Sequence, residues 1–269
     1  TTGIDNISTF EGADVVYALT GDDIITLTAD AVWVTGYIAR SVSNSSSTGT
    51  GEKITLDGLN RFSEVIDGGA DVDTLNLTDG NDAFFIDDVY SAHHSSLALT
   101  STTQGVNSTA RITNLEVINA GAGNDIVDLT SSNYILANAI EINGEAGNDI
   151  LWGSNGNDTI DGGTGDDSLS GGTGSDTLTG GIGADVFQFT ATAGSDIITD
   201  FDVSGGGDLI KLYYRAEDNH TNTNLSLASG VLTWDVDATN SDVVIDMSAT
   251  VSSSDLNSLD VLITFVEIV

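Results

Sequence analysis

The sequence has no cysteine and no proline in 269 residues, only 3 histidines, and 6 Lys+Arg against 41 Asp+Glu. Without cysteine there is neither a disulfide framework nor a thiolate metal site, so any metal would be held by oxygen. At an average usage of about 5 per cent, roughly 13 prolines would be expected in a chain this long, and their absence is a real bias. A formal charge of -35 excludes nucleic acid as a partner reached by electrostatic attraction, and an anionic membrane surface likewise, because phosphates are repelled at long range. No run of 18 apolar residues is present, which excludes membrane insertion through a spanning helix. The chain opens at Thr1 without a methionine or a charged-then-apolar leader and reads as a monomeric segment of a larger chain.

Acidity of this strength would mark disorder if apolar residues were scarce. Hydrophobic residues make up 39% of the chain, however, and short Val/Ile/Leu runs alternate with turn signals. The expectation is a folded all-β chain whose charge has to be neutralised by something positive that the sequence lacks. Its length allows one large domain, two small ones, or a solenoid running throughout.

Between Gly144 and Gln188 the chain reads GEAGNDILW, GSNGNDTID, GGTGDDSLS, GGTGSDTLT and GGIGADVFQ, nonapeptides in unbroken register. Gly stands at positions 1 and 4 of each. Position 6 is Asp149, Asp158, Asp167, Asp176 and Asp185, and position 8 is Leu151, Ile160, Leu169, Leu178 and Phe187. Glycines permit the positive backbone dihedrals of a tight turn, and one inward apolar residue between two outward ones is what a three-residue strand offers a core. A flexible Gly/Asp linker would show no apolar residue locked to position 8.

The pattern resembles the calcium-binding nonapeptide GGxGxDxUx of RTX (repeats-in-toxin) proteins. The resemblance implies a calcium-bound parallel β-roll, a β-solenoid in which six residues turn and bind Ca2+ and three form a strand, two nonapeptides making one coil. On that geometry Asp149, Asp167 and Asp185 stack along one edge about 4.8 Å apart, with Asp158 and Asp176 along the other. Neighbouring carboxylates at ~5 Å repel by about 0.8 kcal/mol even at the dielectric of water. A hard divalent cation reverses that sign, since calcium takes about six to eight oxygens and the turns offer carbonyls beside the Asp oxygens.

Weaker copies lie upstream. Asp5, Asp14 and Asp23 are nine apart, each followed two residues later by Ile7, Val16 or Ile25; Asp73 and Asp82 precede Leu75 and Phe84 in the same way, and Asp125 precedes Val127. The hexapeptides DIITLT at Asp23, DTLNLT at Asp73 and DIVDLT at Asp125 add a longer period of 50 and 52 residues, and Glu64-Val65-Ile66 and Glu116-Val117-Ile118 precede the last two in equal register. These suggest enlarged coils with insertions, Ser41 to Gly51 and Ser91 to Ser108 being the candidate loops; a sandwich whose strands resemble coils is the alternative. The expected division is 1–119 enlarged coils, 120–200 the RTX roll, and 201–269 a C-terminal β cap with the secretion region.

Within the block, outward positions 7 and 9 are polar at Thr159, Asp161, Ser168, Ser170, Thr177 and Thr179, and are expected to face water. Ile150, Trp152 and Val186 need covering by neighbouring segments. Downstream, Asp196 and Asp208 continue the Gly-Asp-apolar theme. Leu225 to Leu227 and Val231 to Asp235 read as a hairpin through Ser229-Gly230, Val243 to Met247 as a strand, and Ser253 or Ser254 as the cap of a short helix through Leu262. The ending Phe265-Val266-Glu267-Ile268-Val269 resembles the terminus of type I secretion substrates, or is simply a last buried strand.

No HExxH or GxSxG motif is present, and His93, His94 and His220 sit in polar segments that read as surface loops. The sequence therefore points away from an enzyme. It points to a calcium-dependent folding module, with calcium and the type I secretion apparatus as partners, in a secreted or cell-surface bacterial adhesin. The candidate metal residues are Asp14, Asp23, Asp73, Asp82, Asp125, Asp149, Asp158, Asp167, Asp176, Asp185 and Asp196. A ligand-binding face for ice or another surface, and the tail of a secreted protease or lipase, are the alternatives.

Overall fold

The structure, a computed structural model, describes residues 3–12, 14–33, 38–40, 53–62, 64–86, 112–130, 136–190, 193–203, 207–215, 224–235, 243–248, 250 and 263–268. No helix occurs among them. A six-residue turn followed by one inward apolar residue leaves space for a strand of three, and the block accordingly runs Ile150–Trp152, Thr159–Asp161, Ser168–Ser170, Thr177–Thr179 and the longer Val186–Thr190.

Successive strands alternate between two parallel sheets. Sheet one stacks Asn6–Ser8, Ile24–Thr26, Thr74–Asn76, Val117–Asn119, Glu141–Asn143, Thr159–Asp161, Thr177–Thr179, Ser195–Ile198 and Val243–Asp246, then closes on the antiparallel pair Val231–Asp235 and Asn224–Ala228. Sheet two opens on Ala31–Val32, which is antiparallel to Asn60–Arg61, and from there stacks Asp82–Phe85, Ile126–Asp128, Ile150–Trp152, Ser168–Ser170, Val186–Thr190, Leu209–Arg215 and Ile263–Ile268 in parallel. The register is strict: Ile142, Ile160 and Leu178 lie opposite one another in sheet one, and Val127, Leu151, Leu169 and Phe187 in sheet two. All seven are fully buried and form the core between the sheets.

Upstream the roll has a third side, where Val15–Tyr17, Val65–Asp67 and Ile112–Thr113 pair in parallel. Along sheet one a coil takes 50 residues from Asp23 to Asp73, 43 from Asp73 to Glu116, 24 from Asn119 to Asn143, and 18 from Asp158 to Asp176. These longer coils share both main sheets with the block. The 52-residue sequence period, in contrast, is not a coil. Val65–Asp67 lies in sheet three and Val117–Asn119 in sheet one, because the circuit from Val65 already closes on sheet three at Ile112–Thr113 and the second copy falls one side further round.

The bulky outward residues are covered as expected. Trp33, Leu56, Ala83, Phe85 and Ile126 form a second cluster on the outer face of sheet two, with Ile150 packed against it. Trp33 meets Phe85 edge-on at 6.4 Å, and the Arg61 guanidinium lies 5.5 Å over the Trp33 ring. Trp152 is buried. The expectation that positions 7 and 9 of the middle repeats face water holds for Thr159 and Asp161, but Ser170 is buried. In register it follows Trp152, and the buried Gln188 continues the row, so large neighbours shade the small hydroxyl.

At the far end the expected hairpin forms, with Ser229 and Gly230 at φ 55° and 83° making a two-residue turn. Ile263–Ile268 is a strand that pairs in parallel with Leu209–Arg215 at the end of sheet two. The expected helix to Leu262, the loops Ser41 to Gly51 and Ser91 to Ser108, and His93, His94 and His220 lie outside the described residues.

Candidate metal centre

Each turn of the block lies on the equivalent turn one coil earlier. Gly147 N–H donates to the Thr164 carbonyl and Gly165 N–H to the Ile182 carbonyl, both at 2.8 Å. Gly165 at position 4 has φ 130°, and a Cβ there would fall inside the carbonyl oxygen of Gly147, so this residue type is demanded twice, by dihedral and by space.

This stacking strings the acids into columns, each acid's carboxylate accepting the N–H of the residue one coil earlier. On the sheet-two edge Asp82 N–H donates to Asp125 Oδ1 at 2.7 Å, and Asp125, Asp149 and Asp167 N–H donate to Asp149, Asp167 and Asp185 Oδ1 at 2.8 Å each. On the sheet-one edge the bonds run from Asp23 to Asp73, from Asp73 to Glu116, from Ile140 to Asp158, and on through Asp176 to Asp196, at 2.8 to 2.9 Å. The predicted separation of Asp149, Asp167 and Asp185 from Asp158 and Asp176 is thus observed. Of the candidates, all but Asp14 are buried; Asp14 stands apart on sheet three.

The second carboxylate oxygen divides the candidates. Oδ2 of Asp23, Asp73, Asp125, Asp149, Asp167 and Asp176 is buried with no protein partner. At Asp73, Asp149, Asp167 and Asp176 this oxygen faces the space left by the position-1 glycine, whereas position 1 is Ala18 before Asp23 and Ala120 before Asp125. A Cβ on Gly144 would lie 2.6 Å from Asp149 Oδ2 and 2.5 Å from the Gly162 carbonyl oxygen of the next coil. Gly162 is bounded likewise by Asp167 Oδ2 and the Gly180 carbonyl. The result is a repeated cradle with a carboxylate oxygen on one side and a backbone carbonyl on the other.

Left without a cation, such groups resist ionisation. Burial pushes Asp125 and Asp196 up to about 8, Asp149 and Asp176 up to about 7, and Asp167 and Asp185 up to about 6. It also raises Asp73, Asp82, Asp158 and Asp208. In each case the desolvation outweighs the amide hydrogen bonds that favour the charged form. No group of three or more acidic or histidine side chains converges among the described residues, since each turn contributes one carboxylate. The rest of an oxygen shell would come from backbone carbonyls, and that hard, all-oxygen donor set fits calcium.

Three candidates are different. Asp82 Oδ2 accepts the Thr78 N–H at 2.7 Å, Asp158 Oδ2 accepts the Ser154 N–H at 2.6 Å, and Asp14 Oδ2 accepts the Phe10 N–H at 2.9 Å. The columns also hold acids absent from the sequence-based set. Glu116 Oε2 occupies an aspartate's place, and Asp208 Oδ1 accepts the Asp185 N–H at 3.0 Å while its Oδ2 accepts the Asp202 N–H. The available signal was an acid two residues before an inward apolar residue, as in Glu116 to Ile118 and Asp208 to Ile210, with glutamate admitted beside aspartate.

The model of the RTX calcium-binding nonapeptide repeat (4 copies) matches residues 1–30, 60–85, 116–136, 141–169, 152–187 and 161–198, together half of the chain. No curated protein matches the sequence. Among solved structures, the crystal structure of extracellular lipase LipA from Serratia marcescens is similar at 16% identity and a TM-score of 0.26. The similarity covers 98% of this chain and 38% of that one.

Proposed function

Because the chain belongs to the family of RTX calcium-binding nonapeptide repeat proteins, we propose that it is a calcium-switched folding and type I secretion module of a large extracellular or cell-surface adhesin. The observation that carries the switch is the set of buried aspartates Asp125, Asp149, Asp167 and Asp176, each with Oδ1 held by the preceding coil and Oδ2 unpartnered. Asp125, Asp149, Asp167 and Asp176 would hold calcium together with turn carbonyls. The bound ion supplies the positive charge that a chain of -35 lacks.

Where calcium is scarce, as inside the cell, mutual repulsion and desolvation keep the turns apart and the chain threadable. Where calcium is abundant, as outside, an ion bound only by the folded state stabilises it by mass action. The absence of proline and cysteine suits this route, since neither slow prolyl isomerisation nor disulfide formation delays folding after export. The module has no catalytic role in this proposal, in keeping with a sequence that offers no nucleophile motif.

Circular dichroism is the direct test. A largely unfolded chain in chelator that gains β signal on calcium addition is expected, and unchanged spectra would refute the switch. Fusing residues 190–269 to a passenger tests export, which fails if the signal lies elsewhere. Finding a hydrolase upstream of Thr1 in the parent chain would replace the adhesin and leave the calcium switch standing.

A further inference from the structure

The turns preceding Asp82 and Asp158 add a hydroxyl to the position-2 amide cap that Phe10 also gives Asp14. Thr78 and Ser154 occupy position 2, and each donates its own amide to the Oδ2 of the aspartate four residues on. Their hydroxyls contact the same oxygen at 2.9 and 3.0 Å, and accept the N–H of Gly80 and Gly156 at 3.1 and 3.3 Å. The Asn60 amide and the Ile140 N–H reach Oδ1 of Asp82 and Asp158 respectively. Both oxygens of each carboxylate are therefore committed within the protein.

Backbone conformation follows the same division. At position 2 of the turns with an unpartnered Oδ2, φ is positive: 85° at Leu19, 104° at Gly69, 100° at Gly121, 69° at Glu145, 95° at Gly163 and 100° at Gly172. Thr78 and Ser154 stay out of that region. With ordinary φ the position-2 amide points into the mouth of the turn and puts its positive end where a cation would sit. With positive φ it is not bonded to the carboxylate, and the oxygen is left for an ion. The two arrangements exclude each other, because an N–H aimed at Oδ2 repels a divalent cation approaching the same lone pairs.

The glycine cradle does not follow this division: Gly153 is bounded by Asp158 Oδ2 and the Gly171 carbonyl, while position 1 is Leu77 before Asp82 and Ala120 before Asp125, so the hydrogen bonds at position 2, not the cradle, distinguish the capped turns. The sequence mark of a capped turn is thus Ser or Thr four residues before the aspartate with Gly-Asn between, as in Thr78-Asp79-Gly80-Asn81-Asp82 and Ser154-Asn155-Gly156-Asn157-Asp158. Asp82 heads the sheet-two column and Asp158 follows Ile140, which is not acidic, so each capped turn stands at the upstream end of a run of acids.

We infer that the turns Thr78–Asp82 and Ser154–Asp158 are closed without calcium, their hydroxyl and amide taking the place of the ion, and that calcium loads only the turns with an unpartnered Oδ2. This rests on the calcium-binding function proposed above and sorts its ligands. Native mass spectrometry of the full 269-residue chain at saturating calcium reads the number of ions. Asp167→Asn is expected to lower that number, while Asp82→Asn and Asp158→Asn leave it unchanged. Crystals of the unaltered chain grown with calcium supply an answer independent of variant folding. Anomalous peaks at the ~2.3–2.6 Å of calcium–oxygen bonds are expected on Asp149, Asp167 and Asp176, with none on Asp82 or Asp158. A calcium bonded to either capped aspartate, or an equal loss in all three variants, overturns the division while leaving the calcium switch intact. No bound calcium anywhere overturns both.

Discussion

From Asp23 to Glu116 a coil takes 50 and then 43 residues and has three sides, whereas in the block it takes 18 and has two. A compact coil sends two apolar side chains inward, such as Leu169 and Leu178, with turns on either side. An enlarged coil adds to the same core: Phe62, Ile66, Leu75, Leu77, Phe84 and Ile86 are all buried within one circuit. On the proposed switch the same acidic turn serves two balances, in which apolar burial would carry much of the upstream stability and metal most of the block's.

The largest way to break that comparison is to remove calcium while watching the two regions separately. Hydrogen exchange across a falling series of free calcium concentrations should strip protection from Leu151, Leu169 and Phe187 first. Ile25, Ile66 and Leu75 should lose it only at lower calcium. Loss of all six at one concentration would show that the regions depend on metal alike.

Proton concentration sharpens the same contrast. Asp125, Asp149, Asp167, Asp176, Asp185 and Asp196 are held between about 6 and about 8 when folded, against about 3.9 in an unfolded chain. The folded metal-free state thus keeps protons that the unfolded state releases, so stability in chelator is present at acid pH and is lost as pH rises through that window. Calcium requires deprotonated ligands, so its affinity climbs over the same range. The folded fraction, read by circular dichroism at pH 5.5 and 8, should fall with pH in chelator and hold or rise in calcium; pH 5.5 keeps clear of the pI near 4.1. A folded fraction in chelator that rises with pH contradicts the assignment.

Much of this was open to inspection in the sequence, and what was not has a physical reason. Position 8 apolar and position 6 acidic, repeated without a slip, mark the strand and the turn of each nonapeptide; the RTX resemblance adds two strands per coil with acids on two edges, and the structure has both. The third side was hidden because sheet membership depends on how far round a chain has travelled, and the 52-residue copy of Glu64-Val65-Ile66 at Glu116-Val117-Ile118 gives no sign of a lost side. The capping of Asp82 and Asp158 was hidden too, since it turns on the orientation of one peptide at Thr78 or Ser154. A serine in place of glycine at position 2 reads as ordinary degeneracy until the hydrogen bonds are seen.

Glycine substitutions probe the comparison on a smaller scale. Gly165→Ala forces a side chain onto the Gly147 carbonyl at φ 130° in the block, and is expected to cost about 4 kcal/mol or more. Gly58→Ala, upstream at φ 88° with nothing within 4 Å, should cost about 1–2 kcal/mol. Chemical denaturation in calcium separates the two, and equal losses would mean that stacked turns have more slack than this packing allows.

The smallest expected effect lies at the seam. Asn119, on the strand where the third side has just ended, donates to Asn76 Oδ1 at 2.8 Å upstream and accepts from Asn143 Nδ2 at 3.0 Å on the block side. The three form a half-buried ladder across the change of architecture. In a solenoid, stability is close to a sum of coil and nearest-neighbour terms, so weakening one neighbour term loosens coupling more than it lowers the total. Asn119→Ala should cost only about 1–2 kcal/mol for two hydrogen bonds. At intermediate calcium, though, it should split a single unfolding transition into two, with the block melting first. Thr179→Ala removes the 2.8 Å hydroxyl contact to Thr199 inside the block and should lower stability without splitting the transition. If both variants leave one transition, the two regions fold as a unit and their contrast is one of shape, not of stability.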